Sequence, residues 1–153
     1  MIGLTPQRLA MAIAASALVV LALAACGSGG ATSSSSSQVA QGRAIYQANC
    51  AACHGANGEG QPDWKRQNPD ETYPAPPHDA SGHTWHHGDG LLFRTVHDGG
   101  KIYETPGFKS AMPPFGNRLS SDEIKAVLAY IKTLWDTEKQ GYQVEASKND
   151  QFP

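Results

Sequence analysis

The chain has 153 residues with 12 basic and 14 acidic side chains, so it is almost neutral. It has no basic run and no stripe of basic and aromatic residues, which argues against a nucleic-acid surface. The length suits one small domain with additional segments. Three cysteines are present, and none is left for a structural disulfide once the roles below are assigned.

Residues 1–25 predict an export signal, because Arg8 precedes an apolar stretch. A retained membrane helix is the alternative, although the stretch is short for one. Its last residues, Leu-Ala-Ala followed by Cys26, resemble the lipobox of bacterial lipoproteins. That resemblance implies cleavage before Cys26, lipidation of its thiol, and anchoring of the exported protein to the outer face of a bacterial membrane, on the periplasmic or extracellular side.

Residues 26–37 contain a run of five serines and predict a flexible tether. A domain over residues 38–135 follows. Its first predicted helix covers residues 38–49, with apolar residues at helical spacing. Gly42 interrupts this pattern four residues before Tyr46, which indicates a position where another helix approaches closely.

The helix leads into Cys50-Ala-Ala-Cys53-His54, a spacing typical of c-type haem attachment. The two thiols can bind the two vinyl groups of one haem, and His54 then supplies the proximal imidazole. A zinc half-site would need a second ligand pair, which the sequence lacks. A thiol redox pair would need a βαβ context, which is also lacking.

Residues 54–85 are rich in glycine and proline and predict a long loop that wraps a cofactor. Asp89 is expected to cap a short helix that ends at Gly99. Ser120 and Glu123 form a capping box for a strongly amphipathic helix. The polar residues 136–153 are expected to form a loose tail.

Residues 38–135 resemble class I c-type cytochromes. The resemblance implies an all-α fold of three to four helices around one covalent haem c, with the N- and C-terminal helices of the domain crossing. It also implies a monomeric electron carrier that exchanges electrons with redox protein partners and is not an enzyme. The residues that carry it are Gly42, Tyr46, the Cys-Ala-Ala-Cys-His-Gly motif, the Ala-Met-Pro-Pro-Phe segment at 111–115 and the Val-Leu-Ala-Tyr segment at 127–130.

The same resemblance suggests further site residues. Met112 is the only methionine after removal of the leader, and it is the expected second iron ligand. The Pro76 carbonyl is expected to accept the other N–H of His54, with Pro77 as the alternative. Trp85 is expected to play a structural role or to donate its indole N–H to a haem propionate.

Five histidines lie between the two expected ligands, and their role stays open. They are solvated loop residues, a replacement distal ligand, or a copper or zinc site beside the haem. An open iron position would instead indicate a haem enzyme or a haem-based sensor. These histidines are His78, His83, His86, His87 and His97.

Overall fold

A computed structural model describes residues 30–153, and residues 37–153 form one compact unit. The predicted all-α class is confirmed, since these residues form helices and loops and only two isolated β-bridges. The export signal and Cys26 lie outside the described residues. The α-helices are α1 (Gly30–Asn49), α2 (Ala51–His54), α3 (Asp89–Asp98), α4 (Ser121–Lys132) and α5 (Thr137–Ser147), and the 3-10 turns are Thr84–His86 and Gly100–Tyr103.

Helix α1 begins at Gly30, earlier than the predicted start at residue 38, and so includes the serine run. Serine is only a moderate helix former, but extending an existing helix costs little once its nucleus is fixed. That nucleus is the buried end of α1, where Gly42 and Tyr46 are buried. The serines at 35–37 are exposed.

The crossing of α1 and α4 depends on Gly42. A Cβ atom at this position would overlap the carbonyl group of Ala126 and lie 3.0 Å from the Val127 nitrogen. Only glycine lets the two backbones approach this closely. One turn later, the Tyr46 and Tyr130 rings pack with centroids 5.2 Å apart. The predicted crossing is therefore present, with Ala126 as the direct partner of Gly42.

Helix α4 begins as predicted. The Ser120 side chain accepts from the Glu123 amide, and the Glu123 carboxylate accepts from the Ser120 amide at 2.8 Å. Its inward face supplies five of the eleven buried apolar residues of the core, and the others come from α1, α3, the segment before α4 and Trp135 after it. The buried apolar residues are Tyr46, Leu92, Phe93, Val96, Phe115, Ile124, Val127, Leu128, Tyr130, Ile131 and Trp135.

The expectation of a loose tail over residues 136–153 is wrong, because part of this segment forms helix α5. Asp136 caps α5 by accepting from the Lys139 amide at 2.9 Å. The helix packs mainly through a buried polar residue, Gln143, whose amide donates to Asp89 at 2.6 Å. Periodicity of apolar residues does not reveal a helix that is held by hydrogen bonds.

Asp89 does not cap α3, contrary to the prediction. Its carboxylate instead pairs with Lys132 at 2.5 Å and accepts from Gln143. The cap comes from Asp150, whose main-chain carbonyl accepts from the Gly90 amide and whose carboxylate accepts from the Leu91 amide, both at 2.7 Å. Helix α3 does end before Gly99, which is its C-cap, as expected.

Candidate haem-attachment site

The motif cysteines lie at the junction of α1 and α2. The chain turns at Cys50, where the His54 amide donates to the Cys50 carbonyl at 2.9 Å. Both thiols are free, Cys50 half-buried against the core and Cys53 exposed. Burial, followed by the nearby Cys53, raises the pKa of Cys50 to about 11. Two unpaired thiols one turn apart fit the two thioether bonds of a c-type haem.

His54 is buried, and its Nδ1 atom lies 2.9 Å from the carbonyl oxygen of Pro76. A carbonyl can only accept, so this contact places the proton on Nδ1 and leaves Nε2 as the atom free to bind a metal. Burial lowers the pKa of His54 below its ordinary value, and the bond to Pro76 offsets only part of this shift. The imidazole is thus oriented and neutral, as metal ligation requires.

Bonds on both sides fix the segment that carries the Pro76 carbonyl. The Gln61 amide donates to the Ala75 carbonyl at 2.9 Å. The His78 amide donates to the Gly58 carbonyl at 2.7 Å, and the His78 carbonyl accepts from the Trp135 indole at 2.8 Å. The wrapping loop therefore reaches the end of α4 immediately beyond the proximal histidine. Sequence reasoning missed this role of Trp135.

His78 stacks on His54, with ring centroids 4.0 Å apart and an interplanar angle of 21°. Its Nδ1 atom lies 2.9 Å from the Thr84 hydroxyl. Burial, followed by the nearby His54 and His83, lowers the pKa of His78 well below its ordinary value. His78 is thus packed against the proximal ring, a position that the sequence did not assign to any of the five histidines.

The backbone of Met112 is fixed against the end of α3. The Gly100 amide donates to the Met112 carbonyl at 3.1 Å, and the Met112 amide donates to the Ser110 hydroxyl at 3.2 Å. Gly99 has φ +77°, and a Cβ there would lie 2.8 Å from the Met112 oxygen. The half-buried Met112 side chain packs on the same apolar core as Cys50.

Trp85 donates its indole N–H to the Gly82 carbonyl at 3.0 Å. This geometry fits the structural role that the sequence left open. The ring also contacts His86 and Tyr142, with centroids 3.7 and 5.7 Å away. The indole therefore braces the 3-10 turn Thr84–His86 against α5.

Of the remaining histidines, His83 and His87 contact each other, and His97 lies apart beside Asp98. His83 stacks on Trp64 with centroids 5.5 Å apart, and His87 meets the edge of His83 at the same distance. His97 is exposed and contacts Asp98 at 2.6 Å. Among residues 30–153, no group of three or more His, Cys, Asp or Glu side chains is arranged to hold a metal ion.

Residues 39–135 match the family model described as cytochrome c. The chain belongs to the cytochrome c family. This match confirms the class I resemblance and the covalent haem c at Cys50 and Cys53. The free thiols and the oriented histidine of this domain fit that cofactor.

No helix among residues 30–153 is both long and apolar enough to span a membrane.

Two relatives illustrate the range of this cytochrome family. A cytochrome c6 from Chlorolobion braunii is 30% identical over an alignment of 100 residues that covers 62% of this chain and 89% of the relative. A cbb3-type cytochrome c oxidase subunit FixP from Sinorhizobium medicae is 31% identical over 110 residues, which are 72% of this chain and 35% of the subunit. The chain thus spans about a third of that subunit's length.

A solved structure, cytochrome cL from Methylophaga aminisulfidivorans, is 21% identical to this chain and has a TM-score of 0.43. The alignment covers 76% of this chain and 67% of that one.

Proposed function

We propose that the protein carries single electrons through one haem c whose iron is held by His54 and Met112. A further part of the proposal is that lipidated Cys26 holds the exported domain at the outer face of a bacterial membrane. Membership of the cytochrome c family supports the electron-carrier function. When bound, the haem supplies a one-electron Fe(III)/Fe(II) couple.

The observation that carries the proximal assignment is the contact between His54 Nδ1 and the Pro76 oxygen. It favours the tautomer with the proton on Nδ1, so Nε2 would be the atom that holds the iron. An N–H donated to a carbonyl also makes the imidazole a better electron donor to a metal. His54 is buried, with 7% of its surface exposed.

Met112 is favoured as the second ligand because its backbone is restrained at three points. These are Ser110 before it, Gly100 beside it, and Pro113 after it. A restrained segment loses less entropy when its thioether binds iron. A filled sixth position would exclude substrates and keep reorganisation small during electron transfer.

The nearest histidine does not suit the distal role. His78 lies face to face with His54, with ring centroids 4.0 Å apart, so an iron would have no room between the two imidazoles. This stacking supports Met112 over His78 as the sixth ligand. An open-iron enzyme or sensor would require Met112 to stay off the metal.

Redox titration and carbon monoxide binding of haem-loaded Met112→Leu test the assignment. Leucine keeps the apolar volume and removes the sulfur. The variant should bind carbon monoxide, which the wild type excludes, and its potential should fall, because a thioether favours ferrous iron. Leu119→Ala is the matched control, since Leu119 also packs half-buried on the core. It should keep the wild-type spectrum and potential.

A wild type that binds carbon monoxide readily would reopen the enzyme and sensor functions. If the protein is an electron carrier, we expect its redox protein partners to dock weakly over a small surface, as is usual in electron-transfer encounters.

A further inference from the structure

Two loops that are distant in the sequence meet beside the Met112 segment. The Lys109 amide donates to the Glu71 carbonyl at 3.1 Å, and the Lys109 ammonium pairs with the Glu71 carboxylate at 2.8 Å. The Gln67 side-chain amide donates to the Gly107 carbonyl at 2.5 Å. We name Gln67, Glu71, Gly107 and Lys109 together the loop clasp.

The first loop is braced before it meets the second. The main-chain amide of Asn68 donates to the Thr72 carbonyl at 2.8 Å. The main-chain amide of Glu71 donates to the main-chain carbonyl of Asn68 at 3.1 Å. Glu71 has φ +70°, a left-handed conformation that a non-glycine residue adopts only when its surroundings impose it. The side-chain amide of Gln67 also donates to the Glu71 carbonyl, at 3.0 Å, and contributes to that restraint.

The second loop leads directly to the proposed iron ligand. Lys109 precedes Met112 by three residues, and the Ser110 hydroxyl between them accepts from the Met112 amide at 3.2 Å. On its other side, Met112 is held by Gly100 at 3.1 Å. The segment is thus fixed at both ends, by the loop clasp before Met112 and by the end of α3 beside it.

We propose that the loop clasp positions Met112 on the iron and that its opening is the step that admits an external ligand. This inference rests on the proposed His54 and Met112 ligation. An added ligand reaches the iron only when the Met112 segment moves away. Its apparent affinity is therefore proportional to the open fraction, which the clasp keeps small.

The charges of the clasp partners allow a sharp test, because the two side chains have opposite signs. Glu71→Gln and Lys109→Gln change the net charge in opposite directions but break the same ion pair. An effect through the electric field at the haem would have opposite signs in the two variants. An effect through the clasp would have the same sign in both.

The experiment is an imidazole titration of the ferric, haem-loaded full chain, with equilibrium affinity and binding rate both measured. Each charge variant should bind imidazole about twofold to fivefold more tightly, as expected for loss of an exposed ion pair. Gln67→Ala combined with Lys109→Gln should raise the affinity about tenfold, since a neutral hydrogen bond is lost as well. The swap Glu71→Lys with Lys109→Glu should restore most of the wild-type behaviour.

A matched control is the exposed pair Glu145 and Lys148 in and after α5, whose charged atoms lie 2.6 Å apart. Glu145→Gln and Lys148→Gln should leave imidazole binding unchanged. Guanidinium unfolding of the same samples separates local opening from a loss of overall stability. Clasp variants with wild-type affinity and rate, or controls with equal effects, would overturn the inference.

Met112→Leu distinguishes this inference from the proposed function. If Met112→Leu binds imidazole much more tightly than the wild type while the clasp variants do not, the clasp alone fails. If Met112→Leu and the wild type bind imidazole equally, Met112 is not the ligand and the proposed function fails with it.

Discussion

The Tyr46 hydroxyl donates to the carbonyl oxygen of Gly55 at 2.9 Å, so α1 is bonded to the residue that follows the haem-attachment motif. The same hydroxyl lies 3.4 Å from the His54 carbonyl oxygen. Tyr46 is completely buried and also packs on Tyr130 of α4. One side chain therefore links the motif to the crossing of the two helices.

Replacement of Tyr46 by phenylalanine should lower the free energy of unfolding by about 1–3 kcal/mol, because it leaves a carbonyl without its donor. Burial raises the pKa of Tyr46 above its ordinary value. The folded protein then keeps a proton that the unfolded chain releases above about pH 10, so stability falls as the pH rises further.

Denaturant unfolding between pH 7 and 11 measures both effects. The alkaline loss of stability should be smaller in Tyr46→Phe than in the wild type. Tyr142→Phe is the control, since Tyr142 is 58% exposed, and it should stay within about 0.5 kcal/mol of the wild type at neutral pH. If the free energy of unfolding fell equally with rising pH in all three proteins, the raised pKa of Tyr46 would not be the cause of the alkaline loss.

Gly42→Val should destabilise the domain by about 1–3 kcal/mol or more, because the added atoms overlap the Ala126 carbonyl and force the helices apart. Guanidinium midpoints at matched slopes measure the change. Gly141→Ala is the matched control, since Gly141 lies within α5 and a Cβ there meets no atom within 4 Å. It should be neutral or stabilising by up to about 1 kcal/mol.

Asp150→Ala should cost about 1 kcal/mol, the usual effect of removing a helix cap. The Leu91 amide loses its acceptor, and Arg94 loses an ion pair of 3.1 Å. Thermal or denaturant unfolding measures the loss. Glu145→Ala also removes one negative charge, from an exposed site, and should change stability by less than about 0.5 kcal/mol. A similar loss in both variants would argue against a capping role.

Cys26→Ser should abolish lipidation and with it membrane attachment, because the acyl chains are proposed to be carried by that thiol and its new amino group. Intact-protein mass and membrane fractionation of the wild type and the variant are the measurements. Unchanged mass together with unchanged membrane association would rule out the anchor.

The parts of the fold that sequence could predict depend on local chemistry. Ser120 and Glu123 specify the start of α4 within four residues of each other, and their capping box is present. Gly42 stands out as a break in a helical pattern, and it lies at a backbone contact. The spacing of Cys50, Cys53 and His54 is also local, and it leads to the correct family.

The parts that sequence did not predict depend on contacts between distant residues. Asp150 caps α3 from a position 59 residues beyond Leu91 in the sequence, so no local pattern near Asp89 reveals it. Helix α5 packs through Gln143, a polar residue that the apolar period ignores, although Asp136 was an available capping signal. The stacking of His78 on His54 results from the path of the loop between them.

The contact between Gly42 and Ala126 also affects how the domain folds and how far the length of its loops can change. It joins segments at opposite ends of the domain, so the chain between them must be closed into a loop before α1 and α4 can pack. The entropy of closure rises slowly, by about 0.6 kcal/mol for each doubling of loop length. Insertions at the exposed residues Lys65 and Arg66, which precede the loop clasp, should therefore leave the crossing of α1 and α4 intact.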